Sequence, residues 1–253
     1  MPTHSLSDYT SWIERTWQGQ VSFTDLVTYA ETLNPHPALC AALYRTWLQR
    51  NAGAFNSVAW FNLGVILFAE NNLIDSIEAF QKALALSPAF PQAHINLGLA
   101  LERQGNAEAA IEQWQAVVEN VITPEADQNT GPNQADQIKN LTMALNNIGR
   151  LQETRRQYQA ATQALEKSLQ LDPDQPDAIH HLIFQRQKQC QWPVYAPVGK
   201  VTEAALHEHT SALAMLNISD DPAAQLEAAL NYSRRKIPAD LPRLSPANGD
   251  LVK

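Results

Sequence analysis

Two cysteines in 253 residues are too few to staple a fold, and Cys40 and Cys190 stand too far apart for the paired spacing of a zinc site. Both read as reduced thiols, which places the chain in a cytoplasmic setting. Glycine is scarce, at nine residues, and no run alternates β-branched with polar residues, so sheet is not expected. No stretch approaches the roughly 18 apolar residues of a membrane-spanning helix. Basic residues are outnumbered: 18 Lys and Arg against 26 Asp and Glu leave a net charge of −8. That balance disfavours nucleic acid and anionic membrane, since both are held by basic surface. The opening MPTHSLSDYT lacks the basic start and apolar core of a secretory leader. Without secretion, the sequons at Asn140, Asn217 and Asn231 carry no weight.

What is present is apolar, helical and repetitive. Apolar residues make up 45% and charged residues 17%, which suits a folded soluble chain. In the stretch 57–87, Trp60, Leu63, Gly64 and Leu67 stand in the order W-x2-L-G-x2-apolar. Ser76, Phe80, Ala83 and Pro88 follow at the spacing of a second helix and its stop. Gly64 leaves room for a neighbouring helix, Phe80 fills the gap between the two, and Pro88 ends the second. This resembles the tetratricopeptide repeat, a helix–turn–helix of about 34 residues. One period on, His94, Leu97, Gly98, Leu101, Ala110 and Trp114 fall in register, with Gly105 at the turn. The next match is Leu145, Ile148, Gly149, Gln152, Ala161, Leu165, Ser168 and Pro173. From 94 to 145 is 51 residues, so half a repeat is inserted, and the polar run 123–137 (TPEADQNTGPNQADQ) accounts for it as a surface loop. A fourth first-helix, 176–189, carries Ile179 and Leu182 but has no full second helix after it.

Before the clear repeats, Ser7 can cap a helix over 8–18 carrying Trp12, Ile13 and Trp17, with Gly19 as its stop. Ser22-x-x-Asp25 opens a second helix with Leu26, Val27, Ala30 and Leu33, ended by Asn34-Pro35. Pro37 starts a third with Leu39, Leu43, Trp47 and Leu48. Residues 1–56 thus read as a helical cap and a degenerate repeat, the tryptophans as packing. After Gln189 comes a non-helical strap with two prolines and two aromatics, then helices over 201–209 and 222–236. Asp221 caps the latter, and Arg234, Arg235 and Lys236 sit at its negative end. The expected fold is all-α, a right-handed tetratricopeptide superhelical solenoid. Its repeats are 57–90, 91–124, 142–175 and a half repeat 176–189, with an insertion at about 123–141. A helical extension, 190–237, and a linker or disordered tail, 238–253, follow.

No catalytic, metal or cofactor site is expected. Neither His180-His181 nor His207-x-His209 is spaced to chelate from one helix, and no third ligand is signalled. Nothing resembles a nucleophile elbow. The asparagines are more informative. Asn62, Asn96 and Asn147 hold one position in three repeats, and His181 takes it in the fourth. On the first helices they would face the concave groove in a row, each amide offering a donor and an acceptor to a peptide bond. The competing reading is that each amide only bonds a neighbouring helix. Around the row the groove would hold Phe61, Val65, Ile95, Leu99 and Arg150. Repeats that clamp a C-terminal carboxylate set Lys, Asn and Arg innermost, and this groove begins with Phe61 and Val65 instead. The expected partner is therefore a protein or extended peptide segment, with oligomeric state left open.

Three segments narrow this further: RQKQCQWPVYAPV (186–198), SALAML (211–216) and DDPAAQL (220–226). They resemble the bacterial SPINDLY-like, O-GlcNAc-transferase-type glycosyltransferases. LYRTWLQRN (43–51), FNLGV (61–65) and SLQLDPDQPDAIHH (168–181) look like the same family. The resemblance implies a substrate-recognition region in which an asparagine ladder holds an extended polypeptide. It also implies two nucleotide-sugar lobes that this chain does not carry. There is no Gly-rich phosphate turn after a strand and no strand–helix alternation, so no catalytic residue carries over. The alternative is a stand-alone repeat adaptor.

Overall fold

The computed structural model describes residues 6–33, 36–120 and 134–237. Among the described residues there are thirteen helices and no strand, apart from an isolated β-bridge between Val198 and Val201. The chain divides into two compact units, Met1–Leu151 and Gln152–Lys253.

The first unit opens with α1 (Leu6–Trp17), after which Gly19, at φ 72°, turns the chain where a side chain would be strained. Ser22 caps α2 (Phe23–Thr32): its Oγ accepts the Asp25 amide at 3.2 Å and its hydroxyl donates to the Asp25 carboxylate at 2.7 Å. Pro37 occupies the first turn of α3 (Pro37–Arg50), where the missing amide hydrogen costs nothing. Trp12 stacks on Tyr29 at 4.2 Å, and Trp47 donates from Nε1 to the Val21 carbonyl at 3.0 Å. Leu26, Leu43, Ala59 and Leu63 join them in one core. Trp12 and Trp47 are thus packing residues, as expected, while Trp17 is 52% exposed.

Two helical hairpins follow, α4 (Asn56–Ala69) with α5 (Leu73–Leu86), and α6 (Pro91–Gln104) with α7 (Ala107–Asn120). Asn72 caps α5 by accepting the Asp75 amide, and Gly105, at φ 94°, ends α6 in the left-handed conformation. Each hairpin closes on a glycine set against an aromatic ring. A Cβ at Gly64 would lie 2.6 Å from the Phe80 ring, and one at Gly98 would overlap the Trp114 indole. Both rings are fully buried. The one polar atom of Trp114 is satisfied, because Nε1 donates to the Ile95 carbonyl at 3.1 Å.

Helix α8 (Gln134–Thr154) begins inside the run expected as a loop and eight residues before the expected repeat boundary at 142. Gln134 and Ala135 tolerate a helix well, and Asp136 favours its positive end. Residues 123–133, the stop at Asn34-Pro35 and the tail 238–253 lie outside the described residues.

In the second unit, α9 (Tyr158–Leu171) packs on α10 (Pro176–Lys188) through Leu165, Leu169, Ile179, Leu182 and Ile183. Val194, Val198 and Val201 from the strap complete that core. The strap is non-helical, and Arg186 holds it. Arg186 is 6% exposed, and its guanidinium donates from Nη1 to the Val194 and Ala196 carbonyls at 3.0 and 2.6 Å, and from Nη2 to Glu166 at 3.0 Å. The helix expected over 201–209 is shorter, α11 (Glu203–Glu208), because Thr202 serves as its cap and accepts the Ala205 amide. Ser211 opens a further short helix, α12 (Ala212–Leu216), that periodicity alone did not suggest. Helix α13 (Pro222–Lys236) has the expected bounds, with Asp221 Oδ1 accepting the Ala223 amide at 2.9 Å.

Candidate functional site

The 34-residue register sets Asn62 on α4 and Asn96 on α6 at equivalent positions, and Asn147 follows on α8. All three are half-buried. Two of them already donate within the chain. Asn62 Nδ2 reaches the Tyr44 hydroxyl on α3 at 3.1 Å, and Asn96 Nδ2 reaches the Gln92 carbonyl, one turn back on α6, at 2.8 Å. Among the described residues neither amide oxygen has a partner, and the Asn147 amide has none at all. These amides therefore keep their acceptors open, and two of them have spent a donor at home. Burial raises the Tyr44 phenol above its ordinary pKa, and the Asn62 bond opposes that shift.

The apolar residues divide. Phe61 is half-buried, tilted against Phe90 at 4.9 Å and Phe80 at 6.0 Å. Val65 is 39% exposed and Leu99 half-buried, so both can meet a ligand. Ile95 does not line a groove: it is only 2% exposed. Helix α6 lies between α5 and α7, and that packing on both sides closes over the side chain.

Charge stitches the same three helices together. Arg103 lies 4.0 Å over the Phe68 ring, and Arg150 grips the Glu102 carboxylate with both Nη atoms, the Nη1 bond being 2.8 Å. The bond to Glu102 raises the Arg150 pKa, against the effect of burial. Arg150 is thus held in an ion pair. Tyr44, Glu102 and Arg103 were not singled out from sequence. The register did carry the signal for the last two, since 102 repeats position 68 and 103 is its neighbour.

His181 belongs to the second unit, and its partner there is Glu153, with Nδ1 2.9 Å from Oε2. Burial alone would raise the Glu153 pKa, but the bond and charge of His181, with Gln185 and Lys188, outweigh it and lower the value. Burial, then His181 and Arg235, lower the pKa of the neighbouring His180. Among the described residues no three His, Cys, Asp or Glu side chains are grouped to hold a metal ion, and no helix is long and apolar enough to cross a membrane.

Residues 64–105 match the family described as TPR repeat, and residues 144–175 the one described as tetratricopeptide repeat. No curated protein matches the sequence. Among solved structures, PilF of Pseudomonas aeruginosa is similar at a TM-score of 0.57 and 16% identity, over 90% of this chain and 93% of its own. A crystal structure of MamA is similar at 0.55 and 16%, over 90% and 100% of the two chains. YrrB, described as a TPR protein with an unusual peptide-binding site, is similar at 0.52 and 16%, over 87% and 96%. At these identities the likeness is one of fold.

Proposed function

We propose that this chain, which carries tetratricopeptide repeats at 64–105 and 144–175, is a non-catalytic module that holds an extended polypeptide against α4, α6 and α8 of its first unit. One observation carries the reading: half-exposed amides recur at Asn62, Asn96 and Asn147 with open acceptors, beside exposed Val65 and half-buried Leu99. Amide oxygens in a row accept from backbone N–H groups whatever the side chains are. That YrrB, of the same fold, is described with a peptide-binding site supports the class of partner.

The narrower form, a recognition region of a SPINDLY-like glycosyltransferase, rests on the segments 186–198, 211–216 and 220–226, and no comparison adds to it. A stand-alone adaptor with one dedicated partner fits the same fold. The two differ in what grips the ligand. The variant Asn62→Ala/Asn96→Ala/Asn147→Ala should weaken a whole panel of unstructured peptides about tenfold or more by fluorescence anisotropy, each bond contributing roughly 0.5–1.5 kcal/mol. An adaptor should instead depend on apolar contacts and lose its one partner in Phe61→Ala/Leu99→Ala. If the asparagine variant keeps its affinities while its melting point drops, the amides are structural and the reading fails.

A further inference from the structure

Among the described residues, the end of the second unit carries an apolar helix face that the packing leaves exposed. On α13, Ala228 is 3% exposed and faces the unit, whereas Leu226 and Leu230 are 61% and 45% exposed and Ile237, just past the helix, is 52% exposed. Ala223, Leu226, Leu230, Ser233 and Ile237 follow one another at steps of three, four, three and four, the spacing of a coiled-coil seam. The residues beside that seam choose the occupant. Glu227 and Arg234 are both exposed and stand seven residues apart, at the same flanking position of successive heptads.

We propose that this face is a self-association surface, on which α13 pairs antiparallel with α13 of a second copy. In an antiparallel pair the equivalent flanks of the two helices meet each other. The register that sets Leu226 of one copy opposite Ile237 of the other, and Leu230 opposite Ser233, brings Glu227 to Arg234 twice across the two-fold axis. The next register, with Leu226 opposite Leu230, would set Glu227 against itself. A parallel pair gives Glu227 only the apolar flanks Pro222 and Ala229, and sets Arg234 beside Ala229 and Lys236. Charge therefore selects both the direction and the register, and the result is an isologous contact. A helix of 15 residues is about 22 Å long, so the contact is weak and governed by concentration.

Sedimentation equilibrium of the full chain, from about 5 to 500 µM, tests this. The unaltered chain should pass from monomer to dimer within that range. The variant Leu226→Glu/Leu230→Glu should stay monomeric with an unchanged melting point, since both side chains are exposed in the folded unit. Glu227→Arg alone and Arg234→Glu alone should each weaken the dimer about tenfold. The doubly exchanged chain should regain it, and so should an equimolar mixture of the two single variants. Three results overturn the proposal: a monomer at every concentration, a dimer that survives Leu226→Glu/Leu230→Glu, or a dimer indifferent to the charge exchange. An α13 face that captures a different protein while the chain stays monomeric also overturns it.

Discussion

Replacing Gly98 by leucine forces a side chain into the Trp114 indole, which has no room to retreat because it is fully buried and bonded to Ile95. Overpacking of this kind costs roughly 1–3 kcal/mol or more, and even Gly98→Ala should lower the melting temperature in calorimetry. Gly53, with nothing near its missing Cβ, is the control that should leave it unchanged on substitution by Ala. A second expectation concerns acid. His180 is held below its ordinary 6.5 by burial, then by His181 and Arg235, with Asp177 and Glu153 opposing. The unfolded chain then binds this proton first, so stability is full above pH 6.5 and falls as pH drops towards the folded-state value. Glu153, also lowered, adds a separate loss that begins only below its ordinary 4.5. The urea midpoint of the second unit should therefore fall between pH 7.5 and about pH 5, and His180→Asn should shrink that fall. At this scale the sequence was readable where a residue type is dictated by space, as at Gly64 and Gly98. It was not readable at Ile95, whose burial depends on two flanking helices rather than on its own repeat.

The elements of the repeats were legible because period, turn and stop agree: Pro88 after α5 and Gly105 closing α6, while the Asn72 cap of α5 and Pro91 opening α6 appear only in the fold. The start of α8 was less so, since Gln134–Asp136 is polar enough for a loop and also tolerates a helix, and composition cannot choose. The strap was legible as non-helical from its prolines, but its anchor was not. Arg186 is one of 18 basic residues, and only the fold shows it spanning two carbonyls and a carboxylate. Arg186→Met should strip the Val194 and Ala196 carbonyls of a charged donor and destabilise the second unit by about 2–4 kcal/mol. Arg186→Lys should recover only part of this, since a single ammonium cannot fork to the same three acceptors. Urea titration followed by circular dichroism gives both values. Equal loss in the two variants would mean that the planar geometry is irrelevant.

For the molecule as a whole, the all-helical class followed from the repeat period before any packing was known. Its partner did not, because recognition depends on which amides are left open once internal bonds such as Asn62 to Tyr44 have formed. The non-catalytic reading makes a direct claim: calorimetry with UDP should register no binding, and micromolar affinity would sink it. The tryptophans give the chain a set of optical reporters. Trp114 is wholly shielded, whereas Trp17 and Trp192 are 52% and 64% exposed, one in each unit. An aqueous quencher such as iodide will extinguish the two exposed indoles while Trp114 still emits at short wavelength. Trp47 is shielded too, so in a Trp47→Phe variant the loss of buried-indole emission will mark the moment the α6–α7 hairpin opens, without any label added to the protein.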